Sequence, residues 1–351
     1  GTRPAPMVLL GENAIKSMAP GRFFRDHKGA VNSLDFHHTE DVMVTVGDDD
    51  ALHLYRTNTG ALLKTLYSKK YGCSCVTFTH ASQAVVYASK VKAAGPDLQK
   101  DHALRYHSLH DNTYLRYFVG HTGQVVNVSM SAKTDQFLSA SVDKTIRLWD
   151  LRTNQCNGAV RCATTPAVAY DMQGLIFAAA TADGEVKLYD SRGYDKGPFN
   201  TIQIGGVGGV VDPTTGKLPR VTCAKFSDDG NDLMCVAGGN VYIHSAFAPF
   251  AEVMRINVGS ETGGSAGGKH FGQEGGGVDL DACWTPDGQY VLSGGADSRV
   301  HVWSVRSGRK VTTWQSRHAG IPSVVRWAPG SMMAASACTE GGCALWIPQI
   351  D

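Results

Sequence analysis

The chain has 351 residues, and its 33 Lys and Arg against 32 Asp and Glu leave a formal charge of +1 and a pI near 7.7. So even a balance argues against gripping nucleic acid through bulk charge, which goes with domains of pI above about 9. Nine cysteines, an odd number with no C-x-x-C pair, fit neither a structural zinc site nor a secreted disulfide framework, so reduced thiols in an intracellular, soluble protein are expected.

Residues 1–20 read as an N-terminal extension, and "GTRPAPMVLLGENAIKSM" lacks the charged and apolar segments of a secretory signal. From there a spacing recurs. Counting 18, 22 and 28 residues on from His27 gives Thr45, Asp49 and Tyr55. The same offsets from His121 give Ser139, Asp143 and Trp149, and from His318 they give Ser336, Glu340 and Trp346. Degenerate copies lie between these stations. Asp183 and Tyr189 keep the six-residue interval with Ala179 in the hydroxyl slot, and Ser293, Asp297 and Trp303 repeat it with Gly275 in the histidine slot. Two further segments, around His107 and His244, retain only the strand pattern, which makes seven units.

Within the units apolar residues alternate with period two, as in "TIRLWD" and "EVKLYD", and turn residues such as "PDG" and "TNTG" separate the runs. That is the signature of half-buried strands, so the chain reads as all-β. The longest apolar run, "GLIFAAATA" at 174–182, is too short to span a bilayer and reads as one buried strand. Gly- and Pro-rich insertions are expected near 90–102, 203–219 and 257–277, as surface loops.

His121, Ser139 and Asp143 are the residue types of a hydrolytic triad. A hydrolase needs one such site, whereas this chain repeats it at a fixed interval and tolerates Thr45, Tyr55 and Glu340 within it. The expectation is therefore structural: carboxylate to histidine, histidine to hydroxyl, hydroxyl to aromatic ring, buried within each unit. "GGSAGGKH" at 263–270 imitates a phosphate-binding loop but places His270 where magnesium needs a hydroxyl. The closest histidine groupings, His37–His38 and His107–His110, lack partners at metal-ligand spacing. No catalytic, cofactor-binding or metal-binding residue is assigned. Asp48, Val142, Ala182 and Ala296 precede the unit carboxylates and are expected to line a common rim for a peptide partner. Lys69, Lys70 and Arg105 are candidates for acidic or phosphate contacts, and an RNA-contacting role is weighed for them.

A repeat of roughly 40–45 residues with a G-H…W-D pattern marks WD repeats, each a four-stranded propeller blade. "TLYSKKYG" (65–72), "LRYHSLHDNTYLRYFVGH" (104–121), "SVDKTIRLWDLRTNQC" (141–156) and "VKLYDSRGYDKGPF" (186–199) make the resemblance narrower. The chain resembles the small WD-repeat subunit of SET-domain histone H3 lysine-methyltransferase (COMPASS) complexes. That resemblance implies a seven-bladed β-propeller over 21–351, closed by an N-terminal strand near "GRFFRDH". It implies a nuclear, non-enzymatic scaffold without cofactor that binds the N-terminal region of the methyltransferase and other complex subunits, and helps recruit the complex to RNA polymerase II with a phosphorylated tail. The second reading is a subunit of a nuclear phosphatase or mRNA 3′-end-processing and termination complex. A hydrolase using Ser139, His121 and Asp143 ranks last.

Overall fold

The computed structural model describes residues 10–90, 101–204, 220–258 and 281–349. Most of the three expected insertions, with Gly275 and the "GGSAGGKH" segment, lie outside them.

The described residues form seven antiparallel four-stranded sheets. Blades 1 to 6 are sequential meanders over 31–67, 74–118, 125–161, 167–203, 221–257 and 282–314. Blade 7 takes its three inner strands, Pro322–Trp327, Ala334–Cys338 and Cys343–Pro348, from one end of the chain and its outer strand, Met18–Phe24, from the other. The two meet antiparallel, with Met18 opposite Pro348 and Phe24 opposite Cys343. Closure by an N-terminal strand is thus present, and it begins upstream of Gly21. Met18 is buried and the short helix Glu12–Lys16 ahead of it buries Ile15, so these apolar residues belong to the core and not to a detached extension.

Burial explains the strand compositions. A second strand such as Val42–Gly47 (VMVTVG) is buried at every position, because each blade is covered on both faces and both faces must be apolar. Outer strands such as Ala61–Tyr67 and Thr113–Phe118 have few buried positions. The core divides into seven clusters, and each joins two neighbouring blades. Val44, Leu52, Val85 and Tyr87 join blades 1 and 2, and Trp346, Val302 and Trp314 join blades 6 and 7. No blade holds a core of its own among the described residues, so each sheet draws its stability from the interfaces with its two neighbours.

The turn between the second and third strands of a blade is equally regular. The residue after the unit carboxylate is left-handed in five blades: Asp50, Lys144, Gly184, Ser298 and Gly341, at φ 62°, 64°, 69°, 64° and 79°. Three of these are not glycine. The preceding carboxylate supports them by accepting the backbone N–H two residues on, as from Asp143 Oδ1 to Thr145 N at 2.9 Å and Asp49 Oδ1 to Ala51 N at 3.3 Å. This is the local Asx geometry that lets Asp hold a tight turn.

Candidate functional site

Blade 3 assembles the full network. His121 Nδ1 donates to Asp143 Oδ2 at 2.8 Å, the Ser139 hydroxyl meets His121 Nε2 at 2.7 Å, and Trp149 Nε1 donates to Ser139 Oγ at 2.8 Å. Burial alone would raise the Asp143 pKa. Hydrogen bonds from His121, from the Thr145 hydroxyl and from the Thr122 N–H outweigh it and hold the carboxyl well below its usual range. Burial lowers the His121 pKa, against the pull of Asp143. Ser139 is 0 % exposed, so the hydroxyl that a hydrolase would use faces no solvent and already serves an indole.

The other blades depart from this pattern in ways that side-chain length explains. In blade 1, His27 bonds Asp49 Oδ1 at 2.9 Å and Thr45 Oγ1 at 2.8 Å. The Tyr55 hydroxyl keeps a contact with the Thr45 side chain and donates its own proton to Asp26 Oδ2 at 2.9 Å. In blade 7, His318 Nε2 meets Ser336 Oγ at 2.7 Å and Trp346 Nε1 donates to the same oxygen at 2.9 Å. Glu340, expected as the acid, is exposed, and His318 Nδ1 is buried without a hydrogen-bond partner. The extra methylene carries the carboxylate out of the turn, and burial pushes the His318 pKa down to about 4. In blade 4, Ala179 supplies no hydroxyl, Asp183 is exposed, and Tyr189 stacks on Phe177 at 5.1 Å. These two residues therefore form no network of the expected kind.

Blade 6 contains a substitution that offset counting misses. Trp303 Nε1 donates to Ser293 Oγ at 3.2 Å, as expected. Asp297 is bonded at 3.0 Å by Nε2 of His301, a residue of the third strand. His301 also meets the Thr313 hydroxyl at 3.3 Å. The visible signal is His53, which also lies four residues after a carboxylate and pairs with Thr65 at 2.9 Å. His27, Asp49 and His53 bring their ligand atoms within 4.8 Å of one another, a grouping that sequence spacing did not suggest.

The expected rim is only partly open. Val142 is 46 % exposed, while Ala182 and Ala296 are half-buried. Asp48 is engaged: its Oδ1 accepts from Lys90 Nζ at 2.5 Å and from Asn32 Nδ2 at 2.9 Å. Lys69 and Lys70 are exposed, lying over the rings of Tyr67 and Tyr71 at 5.4 and 4.9 Å. Arg105 is not a surface residue. It is 1 % exposed, with its guanidinium 4.0 Å from the Tyr71 ring and 5.7 Å from that of Tyr117. The rings, with hydrogen bonds from Nη1 to the Ser89 hydroxyl and to the Ala103 carbonyl at 3.1 Å, compensate the burial of its charge.

The inner strands line the central channel. There Asp281 accepts from Lys225 Nζ at 2.6 Å and from Arg326 Nη1, tying blades 5, 6 and 7 together. Burial works to raise the Asp281 pKa, and the two cations overcome it and hold the group ionised. Asp35 of blade 1 faces the same channel and accepts from the Phe78 N–H at 2.8 Å and the Thr77 hydroxyl at 3.1 Å.

Comparison with known proteins agrees with this architecture. Residues 18–56, 112–150 and 269–304 match the WD domain, G-beta repeat. The chain is 37 % identical over 346 residues to Protein ANTHESIS POMOTING FACTOR 1 of Arabidopsis thaliana, covering 97 % of this chain and 94 % of that protein. It is 35 % identical over 341 residues to WD repeat-containing protein 82 of Drosophila melanogaster, covering 97 % and 98 %. It is 31 % identical over 297 residues to COMPASS component SWD2 of Saccharomyces cerevisiae, covering 84 % and 82 %. Similarity at this level along a closed seven-bladed ring means that the chain belongs to the WD-repeat family that contains WD repeat-containing protein 82 and the COMPASS component SWD2.

Proposed function

We propose that this protein is a non-catalytic scaffold subunit of a Set1/COMPASS-type histone H3 lysine methyltransferase complex in the nucleus. The observation that carries the reading is similarity over more than four fifths of the chain to two proteins whose names place them in such complexes: COMPASS component SWD2, and Set1 complex component swd2 of Schizosaccharomyces pombe at 31 % identity. The residues that could have suggested catalysis are consumed in holding blades together, which supports a role carried by surfaces. Within the complex, the protein contacts the N-terminal region of the SET-domain subunit and helps bring it to RNA polymerase II with a phosphorylated tail. Affinity purification from source cells, with partners identified by mass spectrometry, tests this. Recovery of SET-domain and accessory subunits is expected. Recovery of phosphatase or cleavage and polyadenylation subunits without a SET-domain protein would replace the reading with its alternative.

A further inference from the structure

Large apolar side chains are not spread evenly over the surface. Seven of the twelve exposed ones among the described residues fall on or beside the outer strands of blades 1 and 2. Ordinary surfaces show such residues singly, and a concentration marks an interaction site.

Two of them stand out because their rings are held in place. Tyr114, 41 % exposed, stacks on His107 at 4.7 Å and its hydroxyl meets that of Tyr87 at 3.3 Å. Tyr117, 45 % exposed, lies 5.4 Å from Tyr114 and 5.7 Å from the Arg105 guanidinium, which also contacts the Tyr71 ring at 4.0 Å. Rings fixed before binding lose little freedom on contact and make strong anchors. The Tyr71 loop also carries Lys69 and Lys70, both exposed; Lys70 is engaged by the Tyr71 hydroxyl and feels the charge of Asp101, while its ammonium still faces solvent.

We propose that this lateral face, where the loop after blade 1 packs on the outer strands of blade 2, docks an extended acidic segment of a partner protein. Its apolar side chains lie on Tyr114 and Tyr117, and its carboxylates meet Lys69 and Lys70. The cations available among the described residues are ammonium groups, since the guanidinium of Arg105 is buried against rings and that of Arg116, half-buried, donates to the Leu151 carbonyl. The proposal goes beyond membership in any one complex.

A photo-reactive benzoylphenylalanine placed in the full chain at Lys69 or at Tyr117, with Phe199 on blade 4 as control, tests it in source-cell extract. Thermal melts confirm that each variant folds. Cross-links from Lys69 and Tyr117 are expected on one partner segment in which Asp and Glu outnumber Lys and Arg. A synthetic copy of that segment should bind at least tenfold more weakly to the Lys69→Glu, Lys70→Glu protein and keep its affinity for Lys69→Arg, Lys70→Arg. A copy with amides in place of carboxylates should lose affinity to a similar extent. Cross-links to phosphorylated segments lacking Asp and Glu, to RNA or to a second copy of this chain would overturn the proposal, as would equal yields at Phe199. Failure of SET-domain subunits to co-purify with the unmodified protein would instead overturn the complex assignment, leaving the cross-link result intact.

Discussion

Ser139 shows how one hydroxyl can look catalytic and act as a joint. Its oxygen serves both His121 and Trp149 in a site closed to water, so Ser139→Ala leaves two buried ring nitrogens unsatisfied. A loss of about 2–3 kcal/mol follows, seen as a melting temperature about 3–4 °C lower, without any change in ester hydrolysis. Blade 7 offers the converse experiment. Glu340→Asp shortens the acid to the length that reaches histidine in blades 1 and 3, and is expected to stabilise the protein by about 1 kcal/mol. The same histidine sets a pH dependence. Unfolded, His318 takes up a proton near 6.5, whereas buried it does so only at about 4. Between these values the unfolded state binds the extra proton, so stability falls as pH drops through the window, by up to about 3 kcal/mol. Urea titrations at a series of pH values should show that slope, and it should shrink in Glu340→Asp, where a carboxylate favours the charged ring.

Among the elements, the channel network makes a sharper contrast than the surface pairs. Asp281→Asn removes the carboxylate that Lys225 and Arg326 share between blades 5, 6 and 7 and leaves Arg326 only the more distant charge of Asp35, at a cost of about 2 kcal/mol for these half-buried groups. Lys225→Met keeps the Asp281–Arg326 pair and should cost less. Added salt should relieve the first variant more than the second, because what remains in it is like-charge repulsion. This level also shows what sequence can and cannot reveal. The 18-, 22- and 28-residue offsets identified blades 1, 3 and 7, because strand length and turn length are conserved by the geometry of a blade. They could not register that Glu340 overshoots, which one methylene decides, or that Tyr55 reaches Asp26, which depends on where the phenol carries its hydroxyl. His301 escaped because its partner is approached from the third strand, not from the loop the offset assumes. Arg105 read as a surface cation because the rings beside it, Tyr71 and Tyr117, come from the loop before blade 2 and from the outer strand of that blade, both distant in sequence.

For the molecule as a whole, the decisive feature is that every core cluster spans two blades while blade 7 joins segments 319 residues apart, Phe24 and Cys343. Closing a loop of that length costs about 5 kcal/mol in chain entropy, and only the completed ring of interfaces repays it. The order in which a ribosome delivers the chain then matters. At about 5–20 residues per second, the segment Met18–Phe24 emerges roughly 15–65 s before the strand it must pair with. By the time the chain reaches Cys338 six blades can stack, but the seventh holds Met18–Phe24, Pro322–Trp327 and Ala334–Cys338 without the strand that joins the first of these to the other two. Nascent chains should therefore depend on chaperones at a stage when most of the polypeptide already exists, and a stop codon shortly before Cys343 should be as damaging as one near the beginning.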